Sequence, residues 1–155
     1  AASDVYKRQQ WSIVTPPDSG QNSALTSVAA ISTKNIWVVG VANNQTLVEH
    51  YDGTNWSVVS SPNVGTNSNY LASVAVASAN NIWAVGNYAN SSGVNQTLIE
   101  HWNGTSWSIV QSPNVGTSNN ILSGATRVPG TSHVWAVGAY GPSFTSYKTL
   151  TAFYC

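Results

Sequence analysis

Two Glu-His dipeptides, Glu49-His50 and Glu100-His101, are the residues of this 155-residue chain best equipped for chemistry. A carboxylate beside an imidazole is raw material for general acid-base work or for metal binding. Both dipeptides sit in runs of strand-forming residues, QTLVEHY and QTLIEHW, and neighbours on a strand point to opposite faces. Glu49 then lies with Leu47 and Tyr51, and His50 with Val48, so the two members of a pair do not serve one site. A structural role is expected instead, each side chain satisfying a hydrogen bond to backbone or to a neighbouring sheet. The third copy of the run has Ala152-Phe153 at these positions, so the feature is not required by the repeat.

The other reactive residue types are isolated. His133 stands alone, and three histidines without a shared spacing make no zinc or copper site. Asp18 has Asn63 and Asn114 as its counterparts, and one carboxylate is a weak basis for a hard-cation site. Turn formation accounts for these three residues better. Asn44, Asn55, Asn90, Asn95 and Asn103 begin Asn-x-Ser/Thr triplets, which a chain rich in Asn, Ser and Thr produces by composition. Cys155 is the single cysteine and has no partner for an internal disulfide. No catalytic set, metal or cofactor is expected.

Charged residues make up 6% of the chain, against roughly 25% in ordinary soluble domains, so the wet surface is built from Asn, Ser, Thr and Gln. That profile suits an extracellular or cell-surface protein. The net charge is zero, and Lys7, Arg8, Lys34, Arg127 and Lys148 are scattered, which gives no basic stripe for nucleic acid. The apolar runs are strand-sized, well below the ~20 residues of a membrane helix, so no membrane insertion is expected.

The elements that position these residues come from a tandem repeat. WSIVTPP, WSVVSSPN and WSIVQSPN begin at Trp11, Trp56 and Trp107; NIWVVG, NIWAVG and HVWAVG contain Trp37, Trp83 and Trp135; QTLVEHY, QTLIEHW and KTLTAFY follow. Trp56 follows Trp11 by 45 residues and Trp107 follows Trp56 by 51. Most of the difference is one loop: Thr46 follows Gly40 by 6 residues, whereas Thr97 and Thr149 follow Gly86 and Gly138 by 11. The repeats are 11–55, 56–106 and 107–155. Each is predicted to hold four strands, a to d, with no helix. Strand a covers 25–32, 71–78 and 122–128. Strand b is the Trp-x-Val-Gly run, with β-branched and aromatic content suited to a pleated sheet. Strand c is the Thr-Leu run, and strand d the Trp-Ser-x-Val run, stopped by Pro16, Pro62 and Pro113. Asp52-Gly53 and Asn103-Gly104 supply the positive φ of a tight turn between c and d.

A strand ending in Gly, a variable loop, an aromatic strand, a turn and a Trp (IWAVG, LIEHW, NGTSW) together resemble the kelch repeat of β-propellers. The likeness is strongest to Trp-rich propeller-like repeats of secreted or surface bacterial proteins, and it covers 11–154. It departs where a kelch blade carries two glycines, since Gly40, Gly86 and Gly138 stand singly. The resemblance implies an all-β fold of three four-stranded blades, part of a larger ring of four to eight. The remaining blades or a second copy would then be partners. The alternative is a β-trefoil, which also has three repeats. Residues 1–9, AASDVYKRQ, resemble a translated transposase sequencing adapter and are set aside, which makes three repeats a lower bound. Propeller enzymes offer no match. A galactose-oxidase-like copper site needs a cysteine within the ring, a sialidase-like site needs several arginines where only Arg127 lies beyond residue 9, and Asp52-Gly53-Thr54-Asn55-Trp56 lacks the Asp-box spacing.

Alternating strand direction sends the b–c and d–a loops to one face. Tyr88, Asn90, Tyr140, Phe144 and Tyr147 come from the first set; Asn63, Asn67, Asn69, Tyr70, Asn114, Asn119 and Asn120 come from the second. Aromatic planes beside amides stack on and hydrogen-bond a sugar, or form a polar-aromatic protein interface. The expected function is therefore a non-enzymatic module binding a glycan or protein through Tyr70, Tyr88, Asn90, Tyr140, Phe144 and Tyr147. A purely structural spacer, or part of an enzyme completed by other blades, is the alternative.

Overall fold

A computed structural model describes residues 10–17 and 21–155. The chain folds as three antiparallel meanders, offset from the repeats so that the fourth strand of sheets 1 and 2 is the d strand opening the next repeat, because each connection within a sheet is a short turn or loop returning the chain beside the strand it has just left. Sheet 1 is β1 (Ser23–Ser32), β2 (Asn35–Ala42), β3 (Gln45–Tyr51) and β4 (Trp56–Val58) in that order. Sheet 2 is β5 (Asn69–Ser78), β6 (Asn81–Ala89), β7 (Asn95–Trp102) and β8 (Trp107–Val110). Sheet 3 is β9 (Asn119–Arg127), β10 (Val134–Gly141) and β11 (Lys148–Tyr154). The fold is all-β, and its one helical element among the described residues is a 3-10 turn, Phe144–Ser146.

Two expectations are corrected. The sheets have four, four and three strands instead of four each. Residues 11–14 form no strand, and Trp11 is fully exposed. A strand exists only beside a partner edge, and none is offered to this segment. The sheets do not close into a barrel as a trefoil requires; each is a separate meander.

The glycine of each b strand lies two or three residues before the strand's end, not at it as expected, and has a steric reason. Strands β1 and β5 carry a bulge opposite it, at Leu25/Ser27 and Leu71/Ser73, and β9 shifts register beside Gly138. The extra residue pushes backbone onto the b strand. A Cβ at Gly40, Gly86 or Gly138 would overlap the carbonyl oxygen of Ala24, Tyr70 or Ile121.

The sheets stack face to face, sheet 2 in the middle. Trp37, Val39 and Val48 of sheet 1 meet Leu71, Ile82, Ala84, Leu98 and Trp107 of sheet 2 in one buried cluster. Val85 of sheet 2 meets Leu122, Ala136 and Leu150 of sheet 3 in the next. Hydroxyls stitch the inner strands: Thr26 Oγ1 donates to Leu71 O at 2.6 Å, Val74 N–H donates to Ser27 Oγ at 3.2 Å, and Ala125 N–H to Ser73 Oγ at 3.0 Å.

Candidate functional site

The b–c and d–a loops do share one rim, where they bond to one another. Asn69 N–H donates to Asn44 O at 2.8 Å and Ala89 N–H to Ser68 O at 2.8 Å. Asn67 Nδ2 donates to Asn90 O at 2.8 Å, and Asn119 Oδ1 accepts from Asn95 N–H at 3.0 Å. At the opposite rim the c–d turns meet the a–b turns, Gly53 beside Lys34 and Gly104 beside Asn80. Each c–d turn is four residues long, with Asp52 Oδ1 or Asn103 Oδ1 accepting from two backbone N–H groups. Only the glycine of each expected pair takes positive φ. A two-residue turn with both residues left-handed lies elsewhere, at Asn43-Asn44.

Most of the rim amides hold the rim together. Asn69 and Asn120 are fully buried and each clamps its own loop: Asn69 Oδ1 accepts from Val64 N–H at 2.8 Å while Nδ2 donates to Val64 O and Asn67 O. Asn120 does the same with Val115 and Ser118. Asn63 Oδ1 and Asn114 Oδ1 accept from Thr46 N–H and Thr97 N–H, both at 2.9 Å. Beside them Thr46 and Thr97 hydroxyls bond Ser61 and Ser112, so Ser-Pro-Asn and Thr-Leu form one recurring clasp. Asn90 Oδ1 accepts from Ser92 and Val94 N–H, leaving its amide hydrogens for another partner.

The expected aromatics divide by exposure. Tyr88 and Tyr140 occupy equivalent places at the ends of β6 and β10, each packed against a core cluster. Tyr70 is half-buried opposite Asn87. Phe144 is 86% exposed and its ring lies 5.0 Å from that of Tyr147. Beside them, between the d–a loop leading into sheet 3 and the b–c loop of that sheet, a cleft of about 210 Å³ is lined by Tyr140, Lys148, Ser118 and Ser146. Lys148, which the sequence reading did not single out, stands opposite Tyr140 in the β10–β11 register. The cleft therefore combines an aromatic wall, the hydroxyls of Thr117, Ser118 and Ser146 and a cation, with exposed Phe144 and half-buried Tyr147 nearby.

In the Glu-His dipeptides the histidines are hydrogen-bonded, but not to backbone or to a neighbouring sheet as expected. His50 Nε2 and His101 Nε2 bond Asn35 Oδ1 at 2.9 Å and Asn81 Oδ1 at 3.0 Å, side chains of their own sheets. Burial lowers both imidazole pKa values. The expected bonds of the glutamates are missing: Glu100 is fully buried and neither carboxylate oxygen has a partner, nor does Glu49 Oε2. Burial pushes the Glu100 carboxyl up to about 8, so it is held neutral. Trp107 Nε1 is also buried without a partner.

Among the described residues, no three His, Cys, Asp or Glu side chains cluster as metal ligands, and no helix is long and apolar enough to cross a membrane. Cys155 is exposed and unpaired. No protein-family model matches the chain, and no curated protein shows significant similarity to it.

Proposed function

We propose that this chain is a non-enzymatic binding module of a secreted or surface protein, built from propeller-type blades, whose loop rim takes a glycan at the cleft beside Tyr140 and Lys148. The observation that carries the reading is exposed Phe144, packed on half-buried Tyr147, next to a cleft whose largely apolar wall carries hydroxyls and Lys148. An aromatic face covers the apolar side of a pyranose, while hydroxyls and an ammonium group meet its oxygens. In-order meanders stacked through their first strands support the propeller reading. The low charge supports an extracellular setting.

A second reading, a structural spacer, is favoured by the buried amides of Asn69 and Asn120, which serve the loops alone. A glycan array probed with the chain and with Phe144→Ala separates the two. Binding that the substitution weakens supports the module; absence of binding to neutral and acidic oligosaccharides alike supports the spacer.

A further inference from the structure

At the junction of sheets 1 and 2 the outermost strand of sheet 2 completes the packing. Trp107 of β8 is buried, with ring centroids 5.8 Å from Trp37 and 5.9 Å from Trp102. Val59, Pro62 and Trp102 line a groove together with it. The next junction begins the same way: Trp83 meets Tyr154 at 4.2 Å, where Trp37 meets Trp102 at 4.9 Å. Tyr154 is the register equivalent of Trp102, since Val134 faces the former and Ile82 the latter.

There the likeness stops. The outer edge of β11 has no partner strand among the described residues. In place of a second Trp107 there is an apolar cavity of about 300 Å³, whose walls include Val110, Pro113, Trp83, Ala152 and Tyr154. Val110, Pro113 and Tyr154 correspond to Val59, Pro62 and Trp102 of the first junction. An open strand edge beside an apolar cavity is a docking place for another strand.

Residues 11–14 read WSIV, the same four residues as β8. They are unpaired, and Trp11 and Ile13 are fully exposed. Residues 15–17 lie against Leu25, Leu47 and Glu49 on the outer face of sheet 1, at the far end of the stack from β11. A second copy can present the segment to β11 with its own sheets in place.

We propose that residues 11–14 of one copy pair with β11 of another as the fourth strand of its sheet 3, seating Trp11 in the cavity beside Trp83 and Tyr154. The β7–β8 pairing gives the register: Trp11 opposite Tyr154, Ser12 opposite Phe153, Ile13 opposite Ala152 and Val14 opposite Thr151. Each copy has one donor segment and one acceptor edge, so two copies satisfy one another about a two-fold axis. The pairing brings exposed Leu25 and Val28 of one sheet 1 toward exposed Trp135, Val137 and Phe153 of the other copy's sheet 3. Gly124 stands where Ser27 and Ser73 supply the inter-sheet hydroxyl, so this contact rests on the β11 edge and the indole. The proposal is independent of the glycan reading, which concerns the loop rim.

Sedimentation velocity of the full chain at rising concentration tests it. Dimer is expected, and Trp11→Ala should give monomer with unchanged circular dichroism, because Trp11 supports nothing within its own chain. In the other turns Asp52 N–H meets Asn55 O and Asn103 N–H meets Ser106 O, so the register places residue 10 opposite Cys155. Gln10→Cys under mild oxidation should therefore yield a disulfide from residue 10 of one chain to Cys155 of the other, identified by peptide mapping. Monomer at every concentration, dimer undiminished by Trp11→Ala, a 10–155 bond within one chain, or links between Cys155 residues alone would each overturn the proposal.

Discussion

Asn35 and Trp37 are tied across a single intervening residue, the indole Nε1–H donating to Asn35 Oδ1 at 3.0 Å. The same oxygen meets His50 Nε2 at 2.9 Å, and His50 stacks on Trp37 with centroids 4.3 Å apart. Sheet 2 repeats the arrangement with Asn81, Trp83 and His101. One amide oxygen thus orients the tryptophan that fills each junction. Sheet 3 replaces the set: His133 and Phe153 stand in for Asn and His, and Trp135 is exposed. Asn81→Ala should cost about 1–3 kcal/mol, since it strands a buried indole N–H. Urea denaturation checks this, and His133→Ala in sheet 3 should cost less.

Buried Glu100 makes stability depend on pH. Its folded pKa of about 8 lies above the ordinary 4.5, so between those values the folded chain holds a proton that the unfolded chain has lost. Stability falls as pH rises through that window, by at most about 1.4 kcal/mol per pH unit. His50 and His101 act in the other direction: their lowered pKa values withdraw stability as pH drops below 6.5. Above 6.5 the glutamates dominate, Glu49 being raised by burial in the same direction, and there Glu100→Gln should flatten the slope of midpoint against pH. An unchanged slope would mean that the carboxyl is not buried.

Gly86 and Gly93 should respond very differently to alanine. A Cβ at Gly86 overlaps the Tyr70 carbonyl opposite a bulge, and backbone cannot yield as a side-chain tip can. Gly86→Ala should cost about 3 kcal/mol or more. Gly93 has open space around it and only its positive φ to lose, so Gly93→Ala should cost about 1 kcal/mol. Thermal or urea unfolding of the pair distinguishes them.

Phe144→Ala should leave stability within about 0.5 kcal/mol of the parent, because the ring is exposed. Affinity for a captured glycan should drop about tenfold, the loss of one stacking contact. Titration calorimetry with an oligosaccharide bound by the parent chain measures it.

Much of the strand plan was legible because each repeat carries its own punctuation. Trp-x-Val-Gly marks β2, β6 and β10, Thr-Leu begins the core of β3, β7 and β11, and Trp-Ser opens β4 and β8, which stop at Val58 and Val110, ahead of Pro62 and Pro113. The first strands begin earlier than their Val-rich cores, at Ser23, Asn69 and Asn119, since Asn69 and Asn120 serve both strand and loop clamp. That second duty depends on loops closing in space and leaves no periodic trace. Residues 11–14 show the limit of pattern reading: WSIV is a strand at β8 and none at Trp11, because an edge is supplied only once. At the site, Phe144 and Tyr147 could be named from loop position, whereas Lys148 is found only by its register with Tyr140. The unpartnered Glu100 was legible as a strand residue but not as a neutral one.

The most direct test of the central claim is an amide chemical-shift map of the chain titrated with oligosaccharides, neutral and acidic. Saturable shifts confined to residues 115–118 and 140–148, weakened in Phe144→Ala, are expected. Shifts centred on the opposite rim, at 52–55 and 103–106, or none with any sugar, would contradict it.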